Sequence, residues 1–394
     1  MSGPISYDAL PLLYNTVRPD ILTSPDRIVN LAQERTHPFF VLLRSKKKDE
    51  MDRPGGGPYI TETIKSDNIG GSGAYNPRQQ AQIKDSNSSV ILNYPWRLYR
   101  NPVTWTEFEY NAYTNGSDIT RAKNFIKFKE IDRVSEHWKM LNNLVFQVPN
   151  YAKMEAAATG NSGQDVGEMY SLPAFIREDT TRWLPPATDA SGASAWGTAT
   201  LFGQTGVTTK TWLQNKVATF APGTPFDSTN GIVAAFDRML PELVYQEVPD
   251  ANAGDEPPGG TSLVTFTNKN GVNLMQQASR AANDYWQNSD LYRSAVYKGM
   301  DIIYVAQLDS ALLDQTRGAS AAYTGQPYPD GYPRYFVVNT KHTYPVFMAG
   351  QMAKRGPVIT NNPNQPDVSV VWTNTSGNIV TNAPNRNGII CPIL

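Results

Sequence analysis

A chain of 394 residues is long enough for two or three domains and needs no disulfide or metal staple to bury a core. One cysteine, Cys391, and three histidines, His37, His137 and His342, exclude a disulfide framework and a Cys/His zinc site, and suit a reducing cytoplasm. With 35 Lys plus Arg against 36 Asp plus Glu, and 18% charged residues, the chain announces no general polyanion-binding surface.

The N-terminal stretch MSGPISYDALPLLYNTVRPD lacks the basic-then-apolar order of a signal peptide, and no later run approaches about 18 apolar residues, so no membrane partner is expected. Residues 1–23 carry Leu10, Leu12, Leu13 and Tyr14 without a clean period and read as an extended arm. Ser24-Pro25-Asp26 supplies an N-cap, a proline at the first helical position and an acidic first turn, predicting a short helix over Pro25–Arg35 that ends at His37-Pro38. Phe39–Leu43 is an apolar run of strand length, and Arg44–Arg53 a solvated charged loop in which Asp49, Glu50 and Asp52 offset the bases.

Pro54, Gly55, Gly56, Gly57 and Pro58 punctuate the chain as a hinge. Tyr59–Ile64 then alternates as a strand, and Val90, Ile91 and Leu92 resume one after a polar stretch, Ser66–Ser88. Gly70, Gly71 and Gly73 in that stretch are not a phosphate loop, because no GK[ST], no GxGxxG and no helix start follows them. A two-stranded excursion with nothing to bury at its tip is expected to rest on another molecule.

Thr104–Tyr113 sets Thr106, Phe108, Tyr110 and Ala112 against Glu107, Glu109 and Asn111, predicting a half-buried strand. It leads into the strongest periodic signal of the chain, a helix over 117–147 of about thirty residues, or roughly 45 Å. Phe125, Phe128, Ile131, Val134, Trp138, Leu141 and Val145 recur at steps of three and four and are expected to form its buried stripe. His137, beside Trp138, is expected at a surface or an interface.

Beyond Pro149 the stretches Ala156–Gly167 and Pro185–Thr209 are rich in Gly, Ala, Ser and Thr, with Trp183, Trp196 and Trp212 as isolated anchors of a second domain. A helix at Ile232–Leu240, a strand at Leu243–Glu247, a turn-rich loop at Asp250–Gly260 and a strand at Leu263–Phe266 follow. A helix from Gly271 to Trp286 and a strand at Met300–Val305 complete an α/β alternation. After the Pro/Gly/Tyr loop Tyr323–Pro333, short strands at Tyr335–Val338, Val368–Trp372, Asn378–Thr381 and Gly388–Ile393 are expected to rejoin the first domain's sheet.

This order of elements resembles the major capsid proteins of tailed bacteriophages, the HK97-like fold. The stretches that carry the likeness are TWTEFEYNAYTNGSDITRAKNFIKFKEIDRVSEHWKMLNNLVF (Thr104–Phe146), YKGMDIIYVAQLD (Tyr297–Asp309) and YPRYFVVNTKHTYPVF (Tyr332–Phe347). The resemblance implies an α+β fold with an N-terminal arm over 1–58, an E-loop over 59–98, and a P-domain over 99–150 holding the spine helix. An A-domain over 151–333 and P-domain return strands over 334–394 complete it. It implies a protein of the virion, assembled in the host cytoplasm, whose partners are further copies of itself in pentamers and hexamers, a scaffolding protein, a portal protein, a possible decoration protein, and packaged DNA touched without sequence preference.

The family's fused scaffold would be a long charged segment, and only about fifty residues precede the hairpin here, so an unprocessed N-terminus with a separate scaffolding protein is expected. Some relatives bond an E-loop lysine to a neighbour's asparagine, and Lys65 and Lys84 stand in the right region, but nothing marks the required partner. No cofactor, metal ligand or catalytic residue is expected, since GxSxG, HExxH, paired metal carboxylates and phosphate loops are missing from the sequence. Alternatives are an encapsulin-like compartment on the same fold and a soluble enzyme without a recognisable motif.

Overall fold

In the computed structural model of the chain the described residues are 38–44, 51–53, 59–65, 89–114, 119–146, 167–176, 214–221, 224–244, 262–281, 294–308, 333–359 and 367–392. The expected arm and first helix, the PGGGP stretch and the glycines Gly70, Gly71 and Gly73 lie outside them, as do Lys84 and most of the glycine-rich loops.

The helices are α1 (Pro38–Arg44), α2 (Glu107–Thr114), α3 (Ile119–Val145), α4 (Leu172–Phe175), α5 (Ile232–Val244) and α6 (Lys269–Ala281). The early strands are β1 (Asp52–Arg53), β2 (Tyr59–Lys65), β3 (Ser89–Pro95), β4 (Arg97–Thr106) and β5 (Lys216–Phe220). The later ones are β6 (Leu263–Thr267), β7 (Ser294–Tyr297), β8 (Met300–Tyr304), β9 (Tyr335–Asn339), β10 (Thr343–Met348), β11 (Lys354–Ile359), β12 (Val368–Thr381) and β13 (Gly388–Pro392).

Three expected strands are helical in whole or in part, the one at Leu243–Glu247 because α5 runs on to Val244. PFFVLLR forms α1, with Pro38 at its start and Phe39 and Leu42, one turn apart, both buried. A continuous apolar run of five carries no periodicity to separate strand from helix, and packing against α3 and β10 decides it. The expected strand at Thr104–Tyr113 stops at Thr106, where a capping box opens α2. The Glu109 N–H donates to Thr106 Oγ1 at 3.1 Å, and the Thr106 N–H donates to the Glu109 carboxylate at 3.3 Å. The T-x-x-E signature was present in the sequence, beneath an alternation that mimics a strand.

Among the described residues the strands make three sheets. β12 is long enough to serve several partners. β4 runs antiparallel along residues 368–377, while β11 and β10 take positions 370–374 and 377–381 in turn, and β1 extends the sheet parallel to β10. At Gly377, where β12 meets β10, an added Cβ would stand 2.5 Å from the Val346 carbonyl oxygen, so only glycine lets the two backbones close. The second sheet is mixed and six-stranded, in the order β5-β13-β9-β6-β8-β7. The third is the hairpin of β2 and β3.

The late strands do not all return to one sheet as expected. β10, β11 and β12 join the five-stranded sheet, but β9 and β13 enter the six-stranded one. Every residue of β6, β9 and β13 is buried, the mark of strands covered on both faces, and alternation cannot assign such strands to a sheet. α5 covers this sheet with Ile232, Ala235, Phe236, Met239 and Leu243, spaced at steps of three and four.

The largest core cluster lies between the two main sheets and draws on α1, β2, β3, β6, β9, β10, β12 and the C-terminal end of α3. Phe146, just past α3, sets its ring edge-on to Phe266 at 5.7 Å and Phe336 at 5.5 Å, tying the helix to the six-stranded sheet. Truncating this buried ring by Phe146→Ala is expected to cost about 3–5 kcal/mol. Urea denaturation monitored by tryptophan fluorescence checks this, and an unchanged midpoint would show that the ring is not the tie.

Candidate functional site

Two constructions stand out: the seam that holds α3 against β12, and the root of the β2–β3 hairpin. α3 ends two residues before the expected 147, while 117 and 118 lie outside the described residues, and the face it buries differs from the expected stripe. Phe125, Leu141 and Val145 are buried, while Ile131 and Trp138 are half-buried, the latter 6.0 Å from the Phe39 ring. Phe128 and Val134 are exposed, at 59% and 36%. The reason is geometric. Phe125, Phe128, Ile131 and Val134 advance by steps of three, and each such step falls about 60° short of a full turn, so the stripe winds off the buried face.

The buried face carries Ile126, Glu130, Arg133, His137 and Leu141. Polar residues thus occupy the centre of a helix–sheet contact. The Arg133 guanidinium holds the Glu130 carboxylate through two hydrogen bonds, of 2.5 and 3.1 Å, and donates a third to Thr373 Oγ1 on β12. One turn on, His137 Nε2 lies 2.7 Å from Thr375 Oγ1, which also accepts the Ala353 N–H at 3.0 Å. Near the helix end, Asn142 Oδ1 accepts the Phe39 N–H at 3.3 Å and fixes α1. His137 is therefore a buried seam residue. The signal for this face was a polar step of three and four, Glu130-Arg133-His137, matched to the alternating Thr373 and Thr375, which apolar counting passes over.

The hairpin pairs Tyr59 with Pro95 through Lys65 with Ser89. Its inner face sinks Ile60, Leu92 and Tyr94 into the main core, while Tyr59, Thr61, Thr63 and Ile91 face outward. Tyr94 Oη donates to the Thr381 carbonyl at 2.5 Å and accepts its N–H at 3.2 Å. Buried Asn378 accepts the Tyr170 N–H at 2.8 Å and donates to the Pro95 carbonyl at 2.9 Å, binding the hairpin exit to β12. At the root, Glu62 is 8% exposed, with Arg53 Nη2 at 2.6 Å and the Tyr344 hydroxyl at 3.4 Å. Arg53 also donates to the Thr61 carbonyl at 3.2 Å. Burial, with the Glu62 charge adding to it, pushes the Tyr344 phenol up to about 12, so it stays a neutral donor to the carboxylate. This latch spans the PGGGP stretch, because Arg53 precedes it and Glu62 follows.

Among the described residues no group of three or more His, Cys, Asp or Glu could hold a metal, and no helix is long and apolar enough to cross a membrane. His342 Nδ1 pairs with Asn382 Oδ1 at 2.7 Å, and Cys391 is buried. Asp237 is shared by Lys298 and Tyr297, each at 2.6 Å, in a surface cluster where those hydrogen bonds outweigh desolvation and hold the carboxyl below its usual range.

Compared by sequence, the chain matches no protein-family model and no curated protein. Its fold matches the capsid asymmetric unit of cyanophage A-1(L), at a TM-score of 0.50 and 13% identity, over 93% of this chain and 97% of the other. Two weaker likenesses are the empty GTA particle capsid (TM-score 0.48, 9% identity, 93% and 92% covered) and the encapsulin complex of Synechococcus elongatus (TM-score 0.44, 8% identity, 94% of each chain). The fold, α+β, is thus one shared with that cyanophage capsid subunit over 93% of this chain.

Two substitutions separate the faces of the long helix. Leu141→Ala is expected to cost about 2–5 kcal/mol, and Phe128→Ala less than about 0.5 kcal/mol in the isolated subunit. Equal losses in chemical denaturation would put Phe128 inside. At the hairpin root, Glu62→Gln removes a charge-assisted contact worth about 1.5–3 kcal/mol, and β2 and β3 amides are expected to exchange at least tenfold faster while α3 stays protected. Unchanged exchange would mean that the core residues alone hold the hairpin.

Proposed function

We propose that this chain is a major capsid protein that assembles into pentamers and hexamers of an icosahedral head shell around the double-stranded DNA of a tailed phage. The observation that carries the reading is agreement in fold with a cyanophage capsid subunit over 93% of this chain and 97% of that one. In this reading α3 is the spine helix, and β2, β3 and residues 66–88 are the E-loop. The five-stranded sheet belongs to the P-domain and the six-stranded sheet to the A-domain.

The physical logic is one of reach. Identical subunits that close both fivefold and sixfold rings need contacts that are numerous, individually weak and tolerant of small rotations. A hairpin anchored through Ile60, Glu62, Leu92 and Tyr94 suits that need, with Tyr59 at 37% and Ile91 at 50% exposure available to a neighbour. A net charge of −1 suits an inner wall that tolerates DNA without gripping it. Scaffolding, portal and decoration proteins belong to the same reading as assembly partners.

Negative-stain images of the expressed protein, alone and with its neighbouring head genes, are expected to show closed shells or capsomer rings, and a uniform small monomer under both conditions would overturn the proposal. Shells that retain a specific cargo protein in place of DNA would turn it toward a compartment. Replacing residues 66–88 with an Asn-Gly turn is expected to leave the subunit folded, since that turn favours hairpin closure, but to make shells scarce or fragile to heat. Shells as stable as the parent's would remove the hairpin from the assembly contacts.

A further inference from the structure

We propose that the seam between α3 and β12 is an acid-operated release, in which a proton taken up by His137 forces the long helix off the threonines of the sheet. The proposal concerns the single subunit and does not rest on the shell reading.

The geometry supplies the argument. His137 is 1% exposed and lies at the middle of the contact between helix and sheet. Its Nε2 is taken by Thr375 Oγ1 at 2.7 Å, while its Nδ1 is buried without a hydrogen-bond partner. A neutral imidazole tolerates this with one nitrogen engaged. An imidazolium must donate from both nitrogens, and no acceptor meets Nδ1.

The surrounding charges are already committed. On α3, Arg133 and Glu130 neutralise each other. From β12, Thr373 and Thr375 face the helix and do not titrate. From β11, the register sets the half-buried Arg355 beside Thr373, on the same face of the sheet. From β4, Tyr99 stands opposite Thr375, and its phenol, close to Arg97 and Glu168, is pushed up to about 12 by burial and stays neutral. A protonated His137 would add a further positive charge beside Arg133, whose carboxylate partner Glu130 is already engaged, and near Arg355. Burial, with the Arg133 charge adding to it, accordingly lowers the His137 pKa to about 4 from an ordinary value of 6.5.

The sign follows from linkage. A histidine depressed in the folded state contributes its full stability above 6.5, and that contribution is lost as pH falls from 6.5 to about 4. Because the release sits beneath α3, the loss is felt first there and not at the six-stranded sheet.

Histidine-labelled protein, with only three histidines to assign, is titrated by NMR. Denaturation of the parent and of His137→Gln is measured from pH 7 to 4.5, and amide exchange of α3 is followed at both ends. The His137 signal is expected to titrate well below pH 6. The folding equilibrium of the parent is expected to weaken roughly 50-fold more than that of His137→Gln, with α3 amides losing protection first. A His137 midpoint between 6 and 7, parallel decline of parent and variant, or protection lost uniformly would each overturn the proposal. If His137→Gln does not fold, the titration and exchange of the parent decide the matter.

Discussion

The Glu130–Arg133 ion pair, buried on α3 and hydrogen-bonded to β12, sets the constraint on which the rest of the subunit depends. A buried pair of this kind adds little net stability, because desolvating two charges offsets most of their attraction. What it fixes is position. From Arg133 to His137 the helix rises about 6 Å, and from Thr373 to Thr375 the strand rises about 6.6 Å, so the two side chains meet the two hydroxyls in step. A slide of β12 by one residue would turn Thr373 and Thr375 to the opposite face and strand the donors of the helix. An apolar stripe alone would tolerate such a slide far better, since hydrophobic contact is not directional.

With the helix fixed on β12, the remaining parts fall into place around it. β12 is the shared strand of the five-stranded sheet, pairing with β4, β10 and β11, so whatever holds β12 holds that sheet. The helix end delivers Phe146 to Phe266 and Phe336 and Asn142 to the start of α1, carrying the order into the six-stranded sheet. β12 also anchors the hairpin, through Thr381 to Tyr94 and through Asn378 to Pro95. The Arg53–Glu62–Tyr344 latch adds a further tie, from β1 and β10 to the middle of β2. In the proposed shell this divides the subunit into a body held by directional bonds and a projection held at its root.

Such an arrangement has a cost, and it is local. The seam keeps an imidazole with one buried nitrogen unsatisfied, a penalty of about 1–3 kcal/mol by ordinary measures. Exposed Phe128, at 59%, and Phe108, at 81%, remain on the surface of the single subunit. In the proposed shell these two rings are open to contact with a further copy of the chain.

The sequence by itself determined the long helix, the hairpin and the α/β alternation of the later part, because each rests on local rules. An unbroken 27-residue helix needs no proline or glycine within it and a period near 3.6, and β2 and β3 need alternating β-branched residues around a polar tip. It also contained the Thr106–Glu109 capping box, where α2 begins. Three things were decided only by tertiary structure. α1 became a helix because Phe39 and Leu42 pack on α3, a choice that five apolar residues in a row leave open. β9 and β13 went to the six-stranded sheet because strands buried on both faces carry no pattern that names their partners. The buried face of α3 has a polar centre between apolar ends, since Glu130, Arg133 and His137 become affordable in a core only when Thr373 and Thr375, some 240 residues away, arrive to satisfy them.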